Sequence, residues 1–269
     1  MLPMESTERI TQRFAAARAA RRPALITYLT AGDPRPERTP ALALALERGG
    51  ADILELGVPF SDPIADGPVI QEASDRALKA GTTVERVLEI AAEIRRRSEM
   101  AIVLFSYINP LMRYGFDRLC RDARAAGVDG VLITDLSVEE AEEPVEAMRR
   151  HGLDRIFLAA PTSTNRRLDL VAQYSSGFVY VVSRTGVTGA RDTVSQSVED
   201  LARRLRARTA LPLAVGFGIS KRAHVEEVGR YADGAIVGSA VMRVVDGSAD
   251  EELEARLEQL CRELSGTNR

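Results

Sequence analysis

Residues 51–68 read ADILELGVPFSDPIADGP, and this stretch decides the fold. From Ile53 to Pro59 it forms a nearly unbroken apolar run, interrupted by Glu55. The two-residue period of a strand puts Ile53, Glu55 and Gly57 on one face and Leu54, Leu56 and Val58 on the other. A strand apolar on both faces belongs to a parallel sheet covered by helices, not to a sheet with one wet side. The bulky aliphatic face suits the layer between sheet and helices. Glu55 is then left pointing to the inside of a closed sheet, near the C-terminal end of its strand.

Seven further strands of the same kind are predicted at 24–32, 101–108, 130–137, 155–163, 178–184, 211–218 and 234–240. Helical patterns lie between them, among them ALALALERGG, VIQEASDRALKAG and GFDRLCRDARAAG, and a closing glycine supplies the left-handed residue that ends many helices. Eight βα units predict a single (β/α)8 TIM barrel over residues 1–269, with an open doubly wound sheet as the alternative. No Pro/Gly/Ser-rich linker interrupts the chain. The opening segment carries Arg9, Arg13, Arg18, Arg21 and Arg22, as a transit peptide would, but Glu5 and Glu8 accompany them. Its stripe Ile10, Phe14, Ala17 instead predicts an N-terminal helix covering the barrel floor.

Of the 269 residues, 45% are apolar and 28% charged, and the net charge of −3 gives nucleic acid no electrostatic footing. Cys120 and Cys261 fall on helical apolar stripes and are read as packing residues of a reduced, cytoplasmic protein. No run of 18 apolar residues is present, so no membrane association is expected.

Barrel active sites are built at the C-terminal mouth, where Glu55 is expected to point. Loss of water there raises a carboxyl group toward the range of a general acid or base, although a structural partner could also account for a buried Glu. The proline-stiffened loop after it presents Asp62 and Asp66 over the same end. Asp33 and Asp135, at other strand ends, are weaker candidates, because capping is the commoner task of an acid there.

Glycine-rich loops follow three late strands: SRTGVTGAR (183–191), GFGISK (216–221) and VGSA (237–240). Glycine lets backbone N–H groups approach an anion, and helix starts at these places form the usual phosphate site of a barrel. No GxGxxG or GxxxxGK[ST] motif is present, so a small phosphorylated substrate is expected rather than a dinucleotide or nucleoside triphosphate. With only His151 and His224, both in charged helical patterns, a His-based triad or metal site has little material.

LELGVPFSDPIADGP closely resembles the signature of the tryptophan synthase α-subunit family. TYLTAGDP, SYINPLMRYG, DGVLITDL, SRTGVTGA, VGFGIS and IVGSA extend the likeness over nearly the whole chain, in matching order. The resemblance implies a carbon–carbon lyase that splits indole-3-glycerol phosphate into indole and glyceraldehyde 3-phosphate, with no cofactor of its own. It further implies a pyridoxal-phosphate-dependent β subunit as partner in an αββα complex. By resemblance Glu55 is the acid/base and Asp66 engages the indole N–H, while Gly189, Gly218, Gly238 and Ser239 match phosphate-binding positions. Tyr28, Ile64, Phe105, Tyr180 and Phe217 would enclose the indole ring, Phe217 also standing beside Gly218 in the phosphate loop. Thr188 matches a lid-loop position, and VPFSDPIADG and SYINPLMRYG match partner-facing segments, which makes Asp62 an interface or loop-ordering residue. Ser137 departs from the family, which commonly has proline there. A phosphosugar isomerase, a purely regulatory subunit and a standalone indole-producing lyase are the competing readings.

Overall fold

A computed structural model describes residue 6 and residues 8–182, 191–216 and 218–266, with no side-chain description at 191–195. The parallel strands are β1 (Ala24–Thr30), β2 (Ile53–Gly57), β3 (Ala101–Ser106), β4 (Gly130–Ile133), β5 (Asp154–Ile156), β6 (Leu158–Ala159), β7 (Val179–Val182), β8 (Leu213–Gly216) and β9 (Gly234–Val237). The helices are α1 (Arg9–Ala19), α2 (Thr39–Arg48), α3 (Pro68–Lys79), α4 (Val84–Arg95), α5 (Ile108–Tyr114), α6 (Phe116–Ala125), α7 (Glu142–Arg150), α8 (Asn165–Tyr174), α9 (Arg191–Arg206), α10 (Arg222–Val228), α11 (Ser239–Asp246) and α12 (Leu253–Ser265). The sheet runs β5-β4-β3-β2-β1-β9-β8-β7-β6. Its two ends are consecutive in the chain, so the sheet closes and the molecule is a (β/α)8 TIM barrel rather than an open doubly wound sheet.

One expectation needs correction. The strand predicted at 155–163 is two segments, giving nine strands instead of eight among the described residues. Residues 154–156 pair with β4 and residues 158–159 with β7. Phe157 is the crossing point, where its carbonyl accepts the Tyr180 N–H at 3.0 Å. The ladder changes neighbour there, and the expected single strand becomes the seam of the barrel.

The two-residue period holds on the other strands. Ile26, Ile53, Val103, Leu132, Ala214 and Ile236 fill the barrel interior, while Leu25, Leu54, Leu56, Ile102, Leu104 and Val131 pack toward the helices. Helix α1 buries Ile10, Phe14 and Ala17, the predicted stripe, and Phe14 stacks on Phe178 at 5.6 Å. Inward-facing Gly130 and Gly234 make room for it: a Cβ at either would come within 3.1 Å of Ile10 or Phe14. Gly50, Gly81, Gly127 and Gly152 follow their helices with positive φ, as the closing glycines predicted.

The floor carries a repeated device. Asp52, Asp129 and Asp233 each stand one residue before or at the head of a strand and accept the N–H of the neighbouring strand, from Leu25 at 2.7 Å, Ile102 at 2.8 Å and Leu213 at 2.8 Å. Each also donates its own backbone N–H to the carbonyl of that same residue, at 2.8 Å in all three cases. The N-terminal segment reaches all three acids, Arg22 to Asp52, Arg9 to Asp129 and Arg18 to Asp233. Ser6 reaches a fourth, Asp154, at 3.1 Å. Arg95 of α4 adds a second cation to Asp129, and Arg206 of α9 adds one to Asp233. The arginines of the opening segment thus act as spokes joining the floor helix to the strand heads.

Candidate active site

Glu55 sits at the centre of β2, in register with Tyr28 on β1 and Val103 on β3. It points into the barrel and is 1% exposed. Among the described residues its Oε1 has no hydrogen-bond partner. Among the described residues no cation or backbone amide offsets the loss of water, and burial pushes the carboxyl up to about 8. The structural-partner explanation for a buried Glu therefore has no support at Oε1.

Asp66 closes the loop that leads from β2 to α3. It is half-buried. Burial raises it to about 6, opposed by the Tyr107 hydroxyl, which donates to Oδ2 at 3.0 Å. The two acids thus differ in environment: one dry and without a partner at Oε1, the other rim-bound and hydrogen-bonded, the kind of contrast that separates acid from base roles.

Three of the four described aromatic and apolar candidates gather around them. Tyr28 and Phe105 meet edge-on with centroids 5.1 Å apart. Burial raises the Tyr28 and Tyr180 hydroxyls, and the negative charge of Glu55 and Asp66 adds to the effect, so both stay protonated donors. Two inward glycines admit these rings. A Cβ at Gly57 would lie 2.3 Å from the Tyr28 hydroxyl oxygen, and one at Gly216 would lie 2.2 Å from that of Tyr180. Gly57→Ala is therefore expected to push Tyr28 from its place and cost roughly 1–3 kcal/mol of stability. Urea denaturation that finds the variant as stable as the parent would show the ring free to move aside.

Ile64 is a correction. It is 86% exposed, turned away from the other described pocket candidates. Short turns fold its loop, with Ile64 N–H donating to the Asp62 carbonyl and Asp66 N–H to that of Pro63, and they aim the side chain outward.

Of the anion-site residues, Gly218 has φ +73°, a conformation glycine adopts readily. Gly238 precedes α11, whose first residue is Ser239, and a Cβ on Gly238 would rest 3.5 Å from Tyr28 and Ile70. The N-terminus of α11 therefore opens beside Tyr28 at the mouth, and the N–H groups of a helix's first turn are what an anion needs. Thr188, Gly189 and Phe217 lie outside the described residues.

Other acids take structural posts. Asp33 forms a two-pronged ion pair with Arg76 at 2.8 and 2.9 Å, and Asp135 caps the start of α5 by accepting the Ile108 N–H at 2.8 Å. Asp62 is exposed and accepts from the adjacent Ser61 hydroxyl. Ser137 donates to Glu139, which pairs with Arg167 of α8. Cys120 and Cys261 are buried free thiols, which burial pushes up to about 12. His151 ends α7 and meets Asp117 at 3.2 Å, and His224 Nδ1 accepts the Ser220 N–H at 3.3 Å. Among the described residues, no three His, Cys, Asp or Glu side chains cluster to hold a metal ion, and no helix is long and apolar enough to cross a membrane. Tyr107, buried beneath the Asp66 loop, escaped the sequence reading; its signal would have been the tyrosine directly after an apolar strand, at a barrel's catalytic end.

The fold and this site define a (β/α)8 barrel with a dry carboxylic acid at its C-terminal mouth, beside a second carboxylate and a helix N-terminus. The family model described as "Tryptophan synthase alpha chain" matches residues 14–268. This chain belongs to the tryptophan synthase alpha chain family. It is similar to the tryptophan synthase alpha chain of Solibacter usitatus, 61% identical over 257 residues that cover 95% of this chain and 96% of the relative. With that of a Roseiflexus species identity is 50%, covering 96% and 99%. Among solved structures, an aminoacrylate-bound tryptophan synthase from M. tuberculosis superimposes with a TM-score of 0.87 at 38% identity, covering 97% of this chain and 99% of that one. Tryptophan synthase subunit alpha from Legionella pneumophila gives 0.86 at 34%, covering 96% and 98%.

Proposed function

We propose that the chain cleaves indole-3-glycerol phosphate to indole and glyceraldehyde 3-phosphate, the α reaction of tryptophan synthesis. The observation that carries this reading is Glu55, a buried acid that retains its proton at neutral pH and faces the barrel mouth. It delivers that proton to indole C3, and the resulting carboxylate takes the proton of the hydroxyl on the adjoining carbon. The carbon–carbon bond breaks, its electron pair returns to the ring, and the hydroxyl carbon becomes the aldehyde. Asp66, ionised above about 6, accepts the indole N–H and offsets the positive charge that C3 protonation places on the ring. Tyr28, Phe105 and Tyr180 flank the ring. Gly218, Gly238 and Ser239 would hold the phosphate together with Gly189 and Phe217, under a lid that includes Thr188.

The partner in this reading is a tryptophan synthase β subunit, which carries the pyridoxal phosphate; this chain needs no cofactor, and the complex works in the cytoplasm. Ile64 and Met112, the latter 58% exposed, are large apolar side chains open to solvent on the two segments assigned to the partner face.

Indole release from indole-3-glycerol phosphate, followed with and without the β subunit, tests the proposal. Release by the chain alone is expected to be slow and to accelerate on adding the partner. Full activity unchanged by the partner would favour a standalone lyase, and no indole under either condition would end the reading. The pH profile of kcat/KM is expected to be a bell, rising near 6 as Asp66 ionises and falling near 8 as Glu55 loses its proton. A flat profile between pH 5 and 9 would remove both acids from the reaction.

A further inference from the structure

Tyr107 is the junction between β3 and α5, and its hydroxyl and ring reach the loop that carries Asp66, with the Thr134 hydroxyl just past β4 as a further hydrogen-bond neighbour. Its hydroxyl accepts the Ala65 N–H at 2.9 Å and donates to Asp66 Oδ2 at 3.0 Å. Its ring packs on Phe60 with centroids 5.2 Å apart. The side chain is buried although Ser61, Asp62, Ile64 and Ala65 above it are exposed. From the other side, Gln71 of α3 donates to the carbonyls of Pro63 and Asp66, so it holds the loop's backbone but leaves the carboxylate free to turn.

A phenol has one hydrogen to give. With the Ala65 N–H and the Thr134 hydroxyl on the oxygen's acceptor side, that hydrogen goes to Asp66. The residue that supplies it is itself fixed at the start of α5, because the next N–H, that of Ile108, is held by Asp135. We infer that Tyr107 is a positioning residue for Asp66: its hydroxyl, oriented by Ala65, fixes where the carboxylate sits and favours its ionised form. The inference rests on Asp66 being the group that engages the indole N–H.

The sign follows from the contacts. A donor to a carboxylate stabilises the charged form and opposes the rise caused by burial. Removing the hydroxyl leaves that rise unopposed, so Asp66 would hold its proton to higher pH. The other titratable groups interacting with Asp66 are Tyr28 from β1 and Tyr180 from β7, and Glu55 on β2 shares both of these neighbours. None of these three is a cation that could replace the lost donor.

Tyr107→Phe tests this, since it keeps the ring on Phe60 and removes only the hydroxyl. Two measurements apply to the full chain. The titration midpoint of Asp66, read from its side-chain carboxyl carbon by NMR, is expected to move up by about one unit. The acidic limb of kcat/KM for indole release, measured with the β subunit, is expected to move with it, giving about a tenfold loss below the new midpoint while the alkaline limb stays in place. An unmoved midpoint, or a loss equal at every pH with the acidic limb fixed, would reduce Tyr107 to a packing residue. Should the parent protein release no indole at all, the proposed reaction fails, and the NMR titration still decides the Tyr107–Asp66 link by itself.

Discussion

Glu55→Gln is expected to lower indole release by about 10²–10⁴ while leaving the fold and substrate binding intact. Glutamine matches the shape of the protonated acid but cannot give a proton to C3 or recover one from the hydroxyl, so both transfers are lost. The same substitution has a second, opposite effect on stability. In the folded protein Glu55 titrates near 8, whereas an exposed glutamate does so near 4.5. A raised folded value means the acid contributes its stability below about 4.5 and loses it as pH rises through about 8. Up to roughly 4–5 kcal/mol of stability is removed over that window, a loss the glutamine variant does not share. The variant should therefore be nearly inactive and, in alkaline buffer, harder to unfold than the parent. Near-normal turnover would take Glu55 out of the acid/base role. A stability difference independent of pH would show that the carboxyl is not held protonated by burial.

Asp129→Ala is expected to have the largest effect on folding, about 3–5 kcal/mol. The carboxylate is wholly buried and accepts from Arg9, Arg95 and the Ile102 N–H. Removing it takes the buried carboxylate from two guanidinium groups and a backbone donor at once, leaving Arg9 with exposed Glu99 and Arg95 with backbone carbonyls. Arg9→Ala, by contrast, removes one partly exposed spoke that also serves the exposed Glu99, and should cost about 1 kcal/mol or less. Urea midpoints for the two variants compare them directly. Equal losses would mean that the floor helix, not the strand-head acid, is what holds this corner together.

How much of this was legible in the sequence depended on how local each determinant is. The inward turn of Glu55 follows from a two-residue period in five consecutive residues, and the floor helix from a stripe of three. Closing glycines such as Gly81 and Gly127 announce themselves because a left-handed residue is needed at one spot. The seam at Phe157 was hidden because it depends on which strands lie to either side, and β4 and β7 are far apart in the chain. Ile64 was misplaced because turn hydrogen bonds within its loop, not a period, aim it outward. Tyr107 was passed over because its partner, Asp66, is 41 residues away, and nothing near Tyr107 calls for a hydroxyl. The strand-head aspartates look like ordinary turn residues one at a time, and only their recurrence in GAD, GVD and YAD, each leading into a strand, marks them as a set.

That recurrence bears on the precision of the catalytic end. Each strand-head acid grips the residue that the ladder sets level with it on the neighbouring strand, so it admits a single stagger between two strands. Asp52 does this for β1 and β2, the strands that bring Tyr28 level with Glu55. A slip of one residue would turn Glu55 into the helix layer and Leu54 or Leu56 into the mouth. The acids at the floor thus act as a depth gauge for the chemistry above them: they never approach the substrate, yet they set the height at which the proton is delivered.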